Sequence, residues 1–534
     1  MPTLNWIGKE AVVDHHRKVP TRLLECDPDL SFGDPDAENL LVEGDNLEAL
    51  KALLPRYRGQ VKCIYIDPPY NTGNENWVYN DNVNDPRIKK WLGQVVGKEA
   101  EDLCRHDKWL CMMYPRLALL REFLREDGVI LLSIDDMEFH TLRFVMDELF
   151  GTQNWVATLI WKRRQTSDSR NLNGVSADHE YVLCYGKSEM IRFQGQEKDL
   201  SKYTNPDNDP NGPWMSDNLT GLANANERPN LHYDVIHPVT RVAYPPHPSR
   251  GWIYGQDRMN ELISGGKILW PRSTTGRPRL KRFITDMKSD YTGFSTMLAA
   301  PANVFATKLL ADMLGPKVFA FPKPYGLIEQ LVAQVTEKDS IILDSFAGSG
   351  TTGQAVLAAN KADGGTRQCV LVEIDPGIAT DVTRQRLAKV SGGYTDPKGN
   401  EVEGLGSGFR YCKLGRTLLD EFGDINGEVP FVDLARYVYL LETGVPIPKR
   451  PRKDCPLLGV HRGRAVYLLY NGVLGDRRPA GGNVLTSTVL ANLPAHPEGA
   501  GPRVVYGEST RLGQATLARE NVTFRQIPYS LRDV

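Results

Sequence analysis

Val61-Lys62-Cys63-Ile64-Tyr65-Ile66-Asp67-Pro68-Pro69-Tyr70 is the stretch on which the reading of this chain turns. Val61 to Ile66 is a short, mostly apolar run, and Asn71-Thr72-Gly73 follows the prolines. An apolar run of this length, closed by prolines and a turn residue, reads as a buried strand delivering a loop at its carboxyl end. Two consecutive prolines stiffen that loop, because each fixes φ and restricts the residue before it. A carboxylate, two rigid carbonyls and an aromatic face are thereby held close together. Such a set suits a planar group that bears an amine. Asp67 and the Pro68 carbonyl can accept the two amine hydrogens, Pro69 keeps the loop rigid, and Tyr70 can stack on the ring. The same four residues also fit a plain strand-ending turn with a solvated Asp and a packing Tyr.

Just upstream, Leu40 to Asn46 (LLVEGDN) precedes Leu47, Leu50, Leu53 and Leu54 at helical spacing. Strand, turn, helix and the Asp67 strand make a βαβ unit, and such units build a parallel sheet with helices on its faces. Ligands of such a sheet collect at the carboxyl ends of the strands, where both Asp45 and Asp67 fall. Asp45 equally fits an acid at a helix N-terminus. Residues before about Ala37 read as a loosely organised lead-in. The polar stretch Asn74 to Lys98 reads as a mobile active-site loop. Trp109 to Leu124 and Glu138 to Phe150 read as helices; Val129 to Ser133, Val156 to Lys162 and Glu180 to Tyr185 read as strands. Asp135 and His179 read as a cap and a loop residue, since nothing pairs them with a catalytic partner.

From Ser188 to Met297 the periodicity is lost, and Pro, Gly and Trp punctuate the segment. Short strands with long loops are expected there. Near its end Pro271 to Phe283 (PRSTTGRPRLKRF) carries Arg277, Arg279, Lys281 and Arg282 and no acid. Lys162, Arg163, Arg164 and Arg170 form an earlier basic group. Basic residues interleaved with aromatics suit phosphate contacts and groove reading, although any one such run is more commonly a solvated loop.

The α/β pattern resumes at Phe319. Phe321-Pro322-Lys323-Pro324-Tyr325 leads into a helix, and Ser340 to Asp344 (SIILD) reads as a strand. It feeds Ser345 to Gly353 (SFAGSGTTG), a second helix, and the strand Cys369 to Glu373 (CVLVE). Gly348, Gly350 and Gly353 spell GxGxxG between strand and helix, with Glu373 placed to hold a ribose. The glycine pattern alone does not choose between a nicotinamide cofactor and S-adenosyl-L-methionine.

The chain has 534 residues, 41% hydrophobic and 24% charged, with a formal net charge of −2. That length suits roughly three domains. No apolar run reaches membrane-spanning length, and the N-terminus lacks the apolar core of a signal peptide, so a cytoplasmic protein is expected. Eight cysteines without a CxxC pair argue against a disulfide framework and fit a reducing compartment. Neither they nor the histidines show metal-ligand spacing, so no metal is expected. Near neutrality means that any nucleic-acid-binding charge must be concentrated in patches.

With these residues in view, Asp67-Pro68-Pro69-Tyr70 followed by Asn71-Thr72-Gly73 resembles the catalytic loop of amino-methyltransferases that modify adenine N6 or cytosine N4 in DNA. Asp344-Ser345-Phe346-Ala347-Gly348-Ser349-Gly350 resembles the S-adenosylmethionine loop of DNA methyltransferases. The catalytic loop comes first and the glycine loop later, which resembles the circularly permuted β group, with a recognition domain between the halves. FPKPYGLIEQL resembles that group's segment before the glycine loop. NENWVYNDN after the catalytic loop, PRLKRF near the end of the insert and FRQIPY near the terminus resemble the modification (Mod) subunits of type III restriction–modification systems. The likeness is strong over about residues 38 to 390 and loose beyond.

The resemblance implies a Rossmann-like, S-adenosylmethionine-dependent sheet, circularly permuted. Its catalytic half would be 38–187, its target recognition domain 188–297 and its cofactor half 298–392. A small α/β accessory domain is read at 408–534. It implies that Asp67, Pro68 and Tyr70 grip the base and that Asp344, Phe346, Gly348 and Gly350 line the cofactor. Glu373 would hold the ribose, Asp45 meet the adenine and Lys323 lie near the methionine end. Lys162, Arg163, Arg164, Arg277, Arg279, Lys281 and Arg282 would meet double-stranded DNA. The implied activity is site-specific transfer of methyl to the N6 of a flipped adenine, with cytosine-N4 transfer or a catalytically idle DNA-recognition subunit as the alternatives. A homodimer and a helicase–nuclease restriction subunit are among the implied partners. The chain is short for a type III modification subunit, which leaves room for a solitary methyltransferase or a defence-system variant.

Overall fold

A computed structural model describes residues 3–72, 86–98, 103–168, 174–247, 249–273, 275–420, 424–471, 476–497, 499 and 501–531. Contacts divide the chain into two units, 194–294 and the remainder. NENWVYNDN, Arg170 and residues 74–85 of the stretch read as an active-site loop lie outside the described residues; Pro86–Val95 is helical.

The larger unit is built on one ten-stranded sheet. Its strands are β1 (Arg22–Phe32), β2 (Leu40–Glu43), β3 (Val61–Ile66), β4 (Leu124–Ile134) and β5 (Trp155–Lys162), then β6 (His179–Gly186), β7 (Met297–Leu298), β8 (Ile341–Asp344), β9 (Gln368–Glu373) and β10 (Phe409–Thr417). They lie in the order β1-β10-β2-β9-β8-β3-β4-β6-β5-β7. From β10 to β4 every neighbouring pair is parallel. β6 is antiparallel to both β4 and β5. Counted from β8, the strand before the glycine loop, the central order reads 3-2-1-4-5, that of a doubly wound sheet. In chain order, however, strands 3, 4 and 5 come first. This is the permutation expected from the order of the two motifs. The order reverses between β8 and β3, so the glycine loop and the Asp67 loop leave adjacent strands at the switch point.

The central strands are apolar because both faces are covered: all six residues of β3 are buried. The helix Asn46–Tyr57 buries Leu47, Leu50, Leu53 and Leu54, and Asp45 caps it by accepting from the amides of Leu47 and Glu48 at 2.9 and 3.2 Å. Among the described residues no helix is long and apolar enough to cross a membrane.

Two expectations need correction. The lead-in is not loose. Trp6, Val12 and Val19 join the main core, and Arg22–Phe32 is a sheet strand paired with β10. Two aspartates and a proline in β1 hide its period, as befits an edge strand. Nor are all the cysteines free: Cys26 and Cys412, opposite one another in β1 and β10, form a disulfide. A pair 386 residues apart leaves no spacing signal to read.

The smaller unit is made of short strands, as its lost periodicity led one to expect. Its largest sheet is Ile268–Leu269, Arg279–Phe283 and Trp214–Asp217 around buried Leu219, Trp252, Met259 and Leu280. After β10, a helix at Phe431–Thr443 and a four-stranded sheet, Leu457–His461 to Val522–Gln526, carry their own apolar clusters.

Candidate active site

Asp67 follows the last residue of β3 and meets Lys323, which precedes the helix Tyr325–Val335. The Lys323 Nζ lies 3.0 Å from Asp67 Oδ2 and 3.2 Å from Glu180 Oε2. It also donates to the Tyr70 hydroxyl at 2.8 Å and sits 4.8 Å from the centre of the Tyr70 ring. Tyr70 donates to Glu180 at 3.2 Å, and Arg163 donates to the other Glu180 oxygen at 3.0 Å. Behind the loop, Trp109 donates its indole N–H to the Pro69 carbonyl at 2.6 Å. Two cations and two carboxylates thus share one nearly dry site.

The two acids are not equivalent. Burial pushes the Asp67 carboxyl up from its usual value; Lys323 opposes that shift and Glu180 adds to it. Burial also works against Glu180, yet Lys323 and Arg163 together hold it below its usual value. Burial disfavours the Lys323 cation, but Asp67 and Glu180 outweigh it and keep the ammonium charged. Glu180 has two cationic partners and Asp67 one, so Asp67 is the weaker acid.

Asp67 Oδ1 is buried and accepts no hydrogen bond. Nor do Asn71 Oδ1, Thr72 Oγ1 and Ser345 Oγ have partners. Four of the eleven buried polar side-chain atoms without partners among the described residues therefore sit on the two loops of the switch point. An orphaned buried acceptor costs free energy, and in a native fold it calls for an explanation.

The glycine loop is shaped by backbone that other residues resist. Gly348 and Gly350 have φ of +50° and +76°. A Cβ on Gly350 would lie 3.0 Å from Thr383 Cγ2, and one on Gly353 2.4 Å from Leu387 Cδ2. Glu373 accepts from the Gly348 and Asp375 amides, each at 2.8 Å, so its carboxylate also fixes the loop. Asp344 accepts from the Phe346 amide at 2.9 Å and from the Thr352 hydroxyl; burial pushes its carboxyl up to about 7. Asp67, Phe321, Lys323, Asp344, Phe346 and Gly348 line one narrow cavity. Lys323 is thus held against the Asp67 loop and also faces the glycine loop.

Asp45 does two structural jobs: Oδ1 caps its helix and Oδ2 accepts from Arg116 at 2.9 Å. Arg116 also donates to Asn46 Oδ1, and Asn46 Nδ2 donates to the Ser345 carbonyl at 3.1 Å. A cavity of about 500 Å³ lies beside these groups, between Asp45 and Ile374, lined further by His15, Trp91 and Arg116. That volume is ordinary for a small-molecule or cofactor site.

The cations expected at DNA divide into several kinds. Lys162 and Arg277 are exposed. Arg163 pairs with Glu180, Arg164 with Asp168 at 2.7 Å, and Arg282 with Asp217 at 2.7 Å. Arg279 donates to Ser216 at 2.6 Å. Lys281 is the correction: it is 8% exposed, ion-paired with Asp207 and Asp209, and stacked over Trp214. Burial along Arg279–Phe283 does not follow the two-residue alternation of a strand: Leu280 and Lys281 are both covered while Arg279 and Arg282 are exposed, and it is Asp207, Asp209 and Trp214 that cover Lys281. Asp135 accepts from the Met137 amide in the turn before the helix Phe139–Phe150 and does not cap that helix, and His179, the first residue of β6 and not of a loop, bonds the Tyr181 hydroxyl.

Glu180, Asn71, Trp109, Arg116 and Asn46 were not singled out as site residues in the sequence. Glu180 is an acid in the second position of a strand that is apolar from Val182 to Tyr185, and that oddity was its one signal.

Comparison with known proteins bears on this geometry. A family model described as "DNA methylase", N6_N4_Mtase, matches residues 61–384. The StyLTI Mod subunit, a type III restriction-modification enzyme of Salmonella typhimurium, is 32% identical over 67% of this chain and 57% of its own length. This chain thus spans little more than half of that relative. The EcoP15I Mod subunit of Escherichia coli is 30% identical over 73% of this chain and 69% of its own. The type II methyltransferase M.KpnI of Klebsiella pneumoniae is 30% identical over 67% and 89%. A permuted doubly wound sheet with the Asp67 loop and a glycine loop at one switch point, together with these matches, places the chain in the N6/N4 DNA methylase family.

Proposed function

We propose that this protein methylates the exocyclic amine of a flipped base in DNA, at a specific site, with S-adenosyl-L-methionine as cofactor. The observation that carries the reading is Asp67 Oδ1: a buried acceptor without a partner, on a loop stiffened by prolines, next to the glycine loop. An exocyclic amine offers two N–H groups, and Asp67 Oδ1 with the Pro68 carbonyl can accept both. Holding both hydrogens draws the nitrogen lone pair out of conjugation with the ring. The same contacts stabilise the positive charge that develops on that nitrogen. Lys323 keeps Asp67 in the acceptor form, and Tyr70 offers its face to the base. The amine is inaccessible in a duplex, so the base must be extruded.

The residues of the second loop fit the cofactor. Gly348 and Gly350 bring the backbone close, Ser345 Oγ is an unpartnered polar group, and the cavity between Asp45 and Ile374 is of suitable size. Phe346, Asp344 and Lys323 would border its methionine end, Glu373 its ribose and Asp45 its adenine. Bound there, the cofactor supplies an electrophilic methyl group.

We assign adenine N6, the base implied by the resemblance to type III modification subunits. We assign site choice to the inserted unit, whose exposed Arg277, Arg279 and Arg282 would meet DNA together with Lys162. The likeness to Mod subunits supports a place in restriction–modification, with a restriction subunit as partner. Modification-sensitive sequencing of DNA from cells expressing the chain tests this: N6-methyladenine at one recurring sequence is expected. N4-methylcytosine would overturn the base, and unmodified DNA the activity.

A further inference from the structure

The Asp67 loop ends in a residue held at unusual cost. Asn71 is fully buried and has a left-handed backbone, φ +60°. Its carboxamide is half satisfied: Nδ2 donates to Glu138 Oε1 and to the Arg105 carbonyl at 3.3 Å, while Oδ1 accepts nothing. Glu138 is itself a fully buried carboxylate, at the start of the helix Phe139–Phe150. Besides Asn71, it accepts from His106 Nδ1 at 2.6 Å and from the Thr141 hydroxyl. His106 and Trp109, the latter bonded to the Pro69 carbonyl, stand on the same helix, Arg105–Phe123. That helix therefore reaches both Pro69 and, through Glu138, Asn71.

Burying a carboxylate is expensive unless it is hydrogen-bonded, and a left-handed non-glycine residue carries backbone strain. Here the two costs meet in one bond, four residues from Asp67. A fold needing only a chain reversal at position 71 would do better with glycine, which adopts this backbone without strain. The asparagine side chain is what the bond to Glu138 requires.

We propose that Glu138 is a positioning residue for methyl transfer: by holding the Asn71 carboxamide, with His106 and Thr141 fixing its own orientation, it sets the aim of Asp67 and the Pro68 carbonyl. The inference rests on the amine-gripping role proposed above for Asp67. Positioning acts on the reacting geometry and not on affinity, and a small misplacement of a catalytic group can lower the rate about 10²-fold.

The test is a double-mutant cycle on the full chain with Glu138→Ala and Asn71→Gly, plus Glu138→Gln as the shape-conserving variant. Single-turnover methyl transfer, KM for DNA and Kd for S-adenosylmethionine are the readouts. Each of the first two variants should lose about 10²-fold in kcat with KM and Kd unchanged, and the double variant should be no worse than the poorer single. Glu138→Gln should recover part of the rate. Full activity in Asn71→Gly, additive losses, or an effect confined to KM would overturn the proposal. Hydrogen exchange needs no turnover: the peptide covering residues 63–72 should exchange about 10-fold faster in Glu138→Ala, and unchanged protection would overturn the proposal. If wild type methylates no DNA while that peptide still loosens, the functional reading fails and the lock on the loop stands.

Discussion

At the carboxyl ends of β3 and β8, polar atoms are buried and left without partners; in the basic run of the inserted unit, most of the charge is paired or open to solvent. Asp67 Oδ1, Asn71 Oδ1, Thr72 Oγ1 and Ser345 Oγ belong to the first group. In the second, Lys281 is neutralised by Asp207 and Asp209, Arg282 by Asp217, and Arg277 is exposed. The first arrangement raises the free energy of the fold and leaves acceptors that a ligand can use. The second stabilises its own unit first, and only its outward residues remain for a partner. Charge counted along a sequence therefore overstates what a surface can offer, while a single unpartnered oxygen is easily overlooked.

Predictions can break that contrast. Asp67→Ala should lower methyl transfer on the order of 10²–10³-fold, the effect of removing one preorganised group from a reacting centre. The Kd for S-adenosylmethionine, by titration calorimetry, should hardly move. Near-normal turnover would put the chemistry elsewhere. The wild-type pH profile carries the same information. Burial raises the Asp67 carboxyl, so activity should be present above that raised pKa and lost as pH falls through it. The acid limb should therefore begin above the ordinary carboxylate range.

Lys323→Met leaves two buried carboxylates with one cation, Arg163, between them. Breaking a buried ion pair costs about 3–5 kcal/mol, which urea unfolding at neutral pH would detect. An unchanged midpoint would mean that the cluster is not ionised as described.

Asp344 sharpens the comparison from the cofactor side. Its folded carboxyl titrates at about 7, above the unfolded value, so the folded state binds the extra proton between the two. Stability contributed by that proton is present at low pH and fades as pH rises through about 7. Asp344→Asn should thus raise Tm relative to wild type more at alkaline pH than in mild acid. An equal difference at both would contradict the shift.

The smallest effects belong to the insert. Arg277→Ala should weaken DNA binding and reduce the salt slope by about 1. Lys281→Met should leave that slope alone and lower the stability of residues 194–294. The opposite pattern would return Lys281 to the DNA surface.

Much of this was legible in the chain. The strand, proline and glycine signals around Asp67 and Gly350 are local, and local backbone chemistry shows in sequence. So did the order of the two motifs, from which the permutation follows. The partners of Asp67 were not legible in the same way. Glu180 lies more than a hundred residues away, on a strand antiparallel to its neighbours, and only the sheet order brings it to Lys323. Lys323 was assigned to the cofactor's methionine end through resemblance, yet its ammonium touches Asp67, Glu180 and Tyr70. β1 and the Cys26–Cys412 bond were hidden because an edge strand with two aspartates lacks a clean period and its partner cysteine lies 386 residues further along the chain. Lys281 was not legible as a paired cation because the groups that cover it, Asp207, Asp209 and Trp214, lie more than sixty residues upstream of it.

The most direct test of the central claim is single-turnover transfer from S-adenosylmethionine labelled in its methyl group to duplex DNA, followed by digestion to nucleosides. Label on the exocyclic nitrogen of adenine, appearing on the order of 10²–10³-fold more slowly with Asp67→Ala, is the predicted result. Label on a ring carbon, or transfer at a near-normal rate without the Asp67 carboxylate, would contradict the account.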